Sequence, residues 1–261
     1  MKRSKEYLEA GECAEMIKNA GSVVVLTGAG ISTVAGIPDF RGPQGLYATR
    51  RYDPELVFNI GHFRRDPLDF YRFTRDFMAM TKNIRPTFAH RALAAFEEHG
   101  LLDGVITQNI DALHHVAGSR RIIELHGSYW SASCTGCAKG GFSGATSEWW
   151  DEAVRTGPNA PIVCCPACGS VIKPDVVFFG EAVKGFEQAA ALVAGSDLLL
   201  VLGSSLTVYP AAMLPKMASG AVVVINQGTV GLSEARNRCF LDAELNGFLR
   251  RVAVELGVNV A

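Results

Sequence analysis

Apolar residues recur at helical spacing over positions 5–20 (Leu8, Cys13, Met16, Ile17, Ala20), and a β-branched run over 22–27 follows at once. Further short apolar runs at 103–107, 121–125, 197–202 and 221–225 predict strands, and the stretches 86–99, 184–195 and 209–219 between them predict helices. Strands this short and this continuously apolar bury both faces. The pattern therefore predicts an α/β fold, a Rossmann-like parallel sheet covered by helices, with ligands at the carboxyl ends of the strands.

Two segments interrupt the alternation. Residues 42–85 are rich in aromatic residues and arginine at helical spacing (Phe63, Leu68, Phe70, Tyr71, Phe77), whereas residues 128–174 are rich in glycine and cysteine with little periodicity. Both read as insertions. The expected organisation is a sheet domain built from 1–41, 86–127 and 175–261, with a smaller domain made of a helical module (42–85) and a metal-binding module (128–174). The smaller domain would lean over the sheet and leave a cleft between the two.

Composition narrows the function classes. With 261 residues and 48% hydrophobic content the chain has ample material for a core, and a formal net charge of −1 provides no overall field for nucleic acid or an anionic membrane. No apolar run approaches the ~18 residues of a membrane-spanning helix. Met1-Lys-Arg3 leads into Glu6, Glu9, Glu12 and Glu15, unlike a secretory signal. Seven cysteines, four of them in two Cys-x-x-Cys pairs, suit a metal site in a reducing compartment, and the expected location is cytoplasmic.

Four motifs carry chemistry. The run Val23–Thr27 feeds Gly28-Ala-Gly30, which starts like a phosphate-approaching turn. Thr33 then stands where a dehydrogenase fingerprint needs its third glycine, no clear acidic ribose partner follows, and the chain runs into Pro38, Phe40 and Arg41. Cys134-x-x-Cys137 and Cys165-x-x-Cys168 supply four thiolates for one structural zinc with no open position, although the 27 residues between the pairs exceed a usual zinc ribbon and Cys164 adjoins as a rival ligand. Cys13 and Cys239 read as core residues. Thr107-Gln-Asn-Ile-Asp111 and His126-Gly127 each follow a strand and converge on the edge that carries the Gly28 turn; Asn109 or Asp111 also reads as a simple helix cap, and a lone histidine as structural.

Gly28-Ala-Gly-Ile-Ser32, Gly36-Ile-Pro-Asp-Phe-Arg41, Thr107-Gln-Asn-Ile-Asp111, His126-Gly127, the two cysteine pairs, Phe179-Gly-Glu181 and Gly203-Ser-Ser205 together resemble, in this order and over essentially the whole chain, the sirtuins, the NAD-dependent protein deacylases. The resemblance implies that NAD is consumed: the nicotinamide–ribose bond is cleaved and the acetyl group of acetyl-lysine passes to ADP-ribose. The products are nicotinamide, 2′-O-acetyl-ADP-ribose and free lysine. Position by position, Ala29, Thr33 and Arg41 would line the phosphates within the turn of Gly28, Gly30 and Ser32, while Gln108 and Asn109 would hold the nicotinamide ribose and Ile110 and Asp111 the carboxamide. Phe40 would shield the cation-like ribose carbon from water. His126 would serve as general base for the ribose hydroxyls, with Asn109 counted beside it as catalytic. Gly203, Ser204, Ser205, Asn226, Gln227 and Leu245 would hold the adenosine half. Val177, Phe178, Phe179, Gly180 and Glu181 would pair with an extended acyl-lysine peptide as an added strand. Nicotinamide would act as product inhibitor; no membrane or nucleic-acid partner is expected.

Two other classes compete on the residues alone. An oxidoreductase is disfavoured by the missing third glycine and acidic ribose partner, and a zinc-ribbon adaptor by the balanced charge and by polar strand ends far from the cysteines. A mono-ADP-ribosyltransferase would share most of the site. The segment Asp69–Met78 lacks the Tyr-x-x-Arg pair with which sirtuins that prefer acidic acyl groups resemble one another, since Tyr71 is followed three residues on by Thr74. Acetyl is therefore the expected acyl group, unless Arg72 or Arg75 faces the pocket.

Overall fold

The structure is a computed structural model that describes residues 8–37, 52–81, 83–137, 143–145 and 162–261. Six parallel strands form the main sheet: β1 (Val23–Thr27), β2 (Gly104–Thr107), β3 (Ile122–Glu124), β7 (Leu198–Leu202), β8 (Ala221–Ile225) and β9 (Arg238–Leu241). Their spatial order is β3-β2-β1-β7-β8-β9. The chain thus runs outward from β1 to one edge and returns to build the other half from β7. In doubly wound sheets this reversal opens a crevice outside the carboxyl ends of the two central strands.

Alternation along the strands explains why helices must cover both faces. Val23, Val25, Val105, Leu198, Leu200 and Val223 point into one core with the helices Ala10–Asn19, Phe88–Glu98 and Leu245–Leu256. Val24, Leu26, Ile106, Leu199, Val201 and Val222 point into the other, against Phe186–Ala194 and Leu214–Met217. Cys13 is fully buried in the first core and Cys239 packs against it, as expected. Burial raises the Cys13 thiol to about 12, which leaves it an inert apolar filler.

The predicted strands are found within a residue or two of their expected limits. The predicted helix 209–219 is shorter and split into a 3₁₀ turn, Ala211–Met213, and one helical turn, Leu214–Met217, with Pro215 at its start. That proline has no N–H to donate to a continuous helix. Strand β9 and the helix Leu245–Leu256 were not read from the pattern.

A second sheet carries the cysteines: β4 (Gly127–Cys134), β5 (Ser143–Ala145) and β6 (Ile172–Val176), antiparallel in the order β5-β4-β6. Three strands thus organise the described part of 128–174, where the sequence shows little periodicity. Beside it the helices Ile60–Arg65 and Leu68–Thr81 contribute Phe63, Phe70, Tyr71, Phe73 and Phe77 to an aromatic core shared with Phe58, Tyr129 and Phe178. The ring centroids of Phe58, Phe63 and Phe70 lie 5.8, 5.4 and 4.8 Å from that of Phe178. Phe178 therefore ties the chain leaving the small sheet to the helical segment.

Candidate functional site at the strand switch point

A cavity of about 930 Å³ lies outside the carboxyl ends of β1 and β7, at the upper end of the ~300–1,000 Å³ typical of small-molecule sites. It is lined by residues that follow β1, β2, β7 and β8, and by Phe58 and the segment Val176–Val183.

The Gly28 turn owes its glycines to the neighbouring turn. A Cβ on Gly28 would meet the Gly203 carbonyl oxygen at 2.7 Å, and one on Gly30 would meet Gly203 Cα at 2.8 Å. Gly28 N–H donates to Leu202 O (3.0 Å) and Gly30 N–H to Gly203 O (2.9 Å), so these donors hold the two turns together. Gly203 itself has φ +62°. Ala29–Ile31 and Thr33–Ala35 form consecutive 3₁₀ turns, and Ala29 and Thr33, both cavity-lining, carry backbone N–H groups without a partner among the described residues. Two free amides at the start of helical turns suit an anion.

Gln108 is the hub of the site. Its N–H extends the ladder to Thr27 O (3.0 Å), its carbonyl accepts from His126 Nδ1 (2.9 Å), and its Nε2 donates to Ser204 Oγ (2.9 Å). A carbonyl only accepts, so His126 carries its proton on Nδ1 and leaves Nε2 as a free base. Burial, the larger effect, pulls the His126 pKa below its usual value and the Gln108 carbonyl opposes it. The ring is thus neutral at physiological pH and lines the cavity. Gly127, with φ +68°, is required here by the protein itself: a Cβ would lie 1.8 Å from Asp175 O on β6.

Asn109 donates from Nδ2 to Gly28 O and to Ser32 Oγ, both at 3.2 Å, and lines the cavity. Ser32 in turn donates to Asp111 Oδ2 at 2.7 Å. Asp111 also accepts from Leu113 N (2.9 Å) just before the short helix Leu113–Ala117, but the N-cap position is Ala112, so neither Asn109 nor Asp111 is the helix cap that the sequence suggested. Burial raises the Asp111 pKa against the pull of these hydrogen bonds. Ser32 and Asp111 are absent from the described cavity lining; they stand behind Asn109 and Ile110, and Ile110 is on the surface of the cavity. His90 and His114 complete this buried layer, 4.8 Å apart between ring centroids.

Gly203, Ser204, Ser205, Asn226, Gln227 and Leu245 all line the cavity, on the β7 and β8 side. Thr207, Val208, Tyr209, Pro210 and Thr229 line it too and were not singled out from sequence. Along Val176–Val183, the N–H groups of Val177, Phe178 and Phe179 are already committed, to His126 O, Glu181 Oε2 and Phe58 O respectively. In this segment the backbone N–H groups without a partner among the described residues are those of Gly180, Ala182 and Val183, and these residues line the cavity, as Thr207–Pro210 do. Phe40 and Arg41 lie outside the described residues.

The four sulfurs of Cys134, Cys137, Cys165 and Cys168 fall within 4.8 Å of one another. Separations of 3.4 Å (Cys134–Cys168), 3.2 Å (Cys137–Cys168) and 4.0 Å (Cys137–Cys165) bracket the ~3.8 Å edge of a tetrahedron with ~2.3 Å zinc–sulfur bonds. The set is compatible with one structural zinc, and Cys164 is exposed and outside it. Among the described residues no helix is long and apolar enough to cross a membrane.

Comparison with known proteins agrees with this geometry. The Sir2 family profile matches residues 28–210. An NAD-dependent protein deacetylase of Sulfolobus acidocaldarius is 44% identical over 221 residues, 84% of each chain, and one of Thermotoga maritima is 38% identical over 262 residues, 98% of this chain and all of the relative. A solved structure described as Sir2 bound to acetylated peptide superposes with TM-score 0.84 at 35% identity, covering 96% of this chain and 100% of the other. A second, of a Sir2 with a peptide and NAD+, gives TM-score 0.82 at 37% identity over 94% and 98% of the two chains. With its doubly wound sheet, cysteine tetrad and convergent strand ends, the chain belongs to the Sir2 family.

Proposed function

We infer that the chain is an NAD-dependent protein-lysine deacetylase, an acyltransferase that passes the acetyl group of acetyl-lysine to ADP-ribose. The observation that carries the reading is the His126–Gln108–Ser204 chain. It fixes a neutral imidazole with a free Nε2 in the lining of a dinucleotide-sized cavity that an open backbone edge also lines.

NAD, when bound, supplies the nicotinamide–ribose bond whose cleavage creates the acyl acceptor. Ala29 and Thr33 hold phosphate through their free N–H groups, with Arg41 as the cation and Phe40 as the shield. Ser205, Asn226, Gln227 and Leu245 take the adenosine half. Asn109 turns its Oδ1 to the nicotinamide ribose, because Gly28 O and Ser32 Oγ occupy its Nδ2. Ile110 and, behind it, Asp111 bound the carboxamide end. His126 Nε2 accepts the proton of a ribose hydroxyl, a role that requires the neutral ring its burial favours. The acetylated peptide lies extended along Gly180–Val183, with Thr207–Tyr209 also lining its cavity, and bonds the open N–H groups of Gly180, Ala182 and Val183, with Val177, Phe178 and Phe179 forming the wall beneath.

The segment Asp69–Met78 offers the acyl group no unpaired arginine. Tyr71 and Thr74 are buried, Thr74 Oγ1 lies 3.2 Å from the Tyr129 hydroxyl, and Arg72 and Arg75 sit on the outer face with side chains 55% and 37% exposed, paired with Asp69 and Asp76. The organisation into a sheet domain and two inserted modules, and a cytoplasmic location suited to free thiols, complete the reading.

Nicotinamide release from NAD should depend strictly on the acetylated peptide, with no growth of NADH absorbance. Reduction of NAD, or release indifferent to the peptide, would overturn the proposal in favour of a redox enzyme or a glycohydrolase.

A further inference from the structure

Lys173 belongs to β6, in the sheet that carries the cysteines, yet its ammonium lies under the wall of the cavity. Nζ donates to Val176 O (2.5 Å) and Glu181 Oε2 (3.1 Å), with Pro174 O at 3.5 Å, and it lies 4.1 Å from the centroid of the Phe178 ring. The same Glu181 oxygen accepts the Phe178 N–H (2.8 Å), while Glu181 N–H donates to Phe178 O (2.9 Å). The turn Phe178–Glu181 is thereby closed from both sides, with Gly180 at φ +93° between its ends. This is the only ion pair among the described residues that links the cysteine-bearing sheet to the 177–184 segment. The same segment is tied to the helical part through Phe179 N–H to Phe58 O (2.7 Å) and to the main sheet through Lys184 N–H to Leu125 O (3.0 Å).

A pair with side chains only 11% and 31% exposed is an expensive way to hold a turn. Two apolar side chains of similar volume would serve stability equally well or better, because desolvating an ammonium and a carboxylate offsets most of their attraction. What the pair provides beyond stability is direction. A carboxylate oxygen shared between a fixed ammonium and one backbone N–H sets the dihedral path of residues 178–181, and the open N–H groups of Gly180, Ala182 and Val183 follow from that path.

We propose that Lys173 is a positioning residue for the acyl-peptide substrate, acting through Glu181 to hold the Gly180–Val183 edge in the register an extended peptide needs. The proposal rests on the deacetylase reading. It assigns to the cysteine-bearing module a part in peptide affinity, and it places no demand on the NAD side of the cavity, which Lys173 does not touch.

The test is steady-state deacetylation by the full zinc-loaded chain, with wild type, Lys173→Met, Lys173→Arg, Glu181→Gln and the double variant Lys173→Met/Glu181→Gln. Zinc content and thermal midpoint are measured on each. Wild-type turnover comes first, and its absence would contradict the deacetylase reading itself. Given turnover, Lys173→Met and Glu181→Gln should each raise the peptide KM by about tenfold, the size of one backbone hydrogen bond to the peptide lost when the Gly180–Val183 edge leaves its register. The KM for NAD and kcat should stay within about threefold and zinc should remain bound. The double variant should be no worse than either single variant, because the two act as one device. Lys173→Arg should recover most of the loss. A peptide KM unchanged in Lys173→Met, a loss in the KM for NAD or in kcat instead, or defects that simply track the thermal midpoint would each overturn the positioning role.

Discussion

Replacing Gly30 with alanine tests whether the turn at the end of β1 is glycine-rich for its ligand or for its neighbour. The added Cβ would lie 2.8 Å from Gly203 Cα, 2.9 Å from its oxygen and 3.1 Å from its carbonyl carbon, all backbone atoms with no rotamer to change. Non-bonded carbons pack at about 3.5–4.0 Å, so the two turns must part by roughly 0.7 Å or more. That displacement stretches the Gly30 N–H to Gly203 O bond from 2.9 Å to a length at which it no longer counts as one. Overpacking costs about 1–3 kcal/mol and the lost bond about 1 kcal/mol, so Gly30→Ala should destabilise the chain by roughly 2–4 kcal/mol. Urea unfolding of the free protein measures this, and calorimetric titration with NAD should show weakened binding in parallel. Unchanged stability with lost NAD affinity would refute the reasoning and return Gly30 to a purely ligand-facing role.

Four further outcomes are expected. His126→Ala should bind NAD within a few-fold of wild type but lose about 10²–10⁴ in kcat, the usual cost of a removed general base, measured by single-turnover deacetylation. Burial holds His90 at about 2 and His114 at about 3, below the unfolded value near 6.5. The unfolded chain therefore binds more protons between those limits, and stability falls as pH drops below 6.5, by about 1.4 kcal/mol per unit for each ring; imidazole resonances titrating near 6.5 in the folded protein would contradict this. With Arg72 and Arg75 paired to Asp69 and Asp76, succinyl-lysine should be used at least ~100-fold less efficiently than acetyl-lysine on one peptide, because neither arginine is offered to its carboxylate. Chelation should remove about one zinc per four-thiolate site and abolish turnover together with the fold around the cysteines, followed by metal analysis and circular dichroism.

Much of the fold was legible because both periodicities are strong. The runs Val23–Thr27 and Leu198–Leu202 bury every residue, and such strands show in sequence whatever they pair with. The helix Leu245–Leu256 was missed although Leu245, Phe248, Leu249, Val252 and Ala253 form an apolar stripe and Glu244 caps it, so that signal was available. The small sheet was harder, because β4 carries Ser128, Ser131, Ser133 and Cys134 in place of an apolar alternation. The site residues were recognisable one by one, but their reasons were not. That Gly127 makes room for Asp175 O, or Gly28 for Gly203, depends on contacts between segments far apart in the chain. The same holds for Val177–Phe179, whose backbone edge looks free in sequence and is occupied by His126, Glu181 and Phe58 in space. Thr207–Pro210 gave no chemical signal of their own; only their place in the cavity lining marks them.

The most direct test of the central claim is mass spectrometry of an acetyl-lysine peptide incubated with the purified chain, with and without NAD. The account predicts loss of the acetyl group only when NAD is present, with nicotinamide and acetyl-ADP-ribose formed in amounts equal to the deacetylated peptide. Acetyl loss without NAD, or a peptide that gains ADP-ribose and keeps its acetyl group, would contradict it.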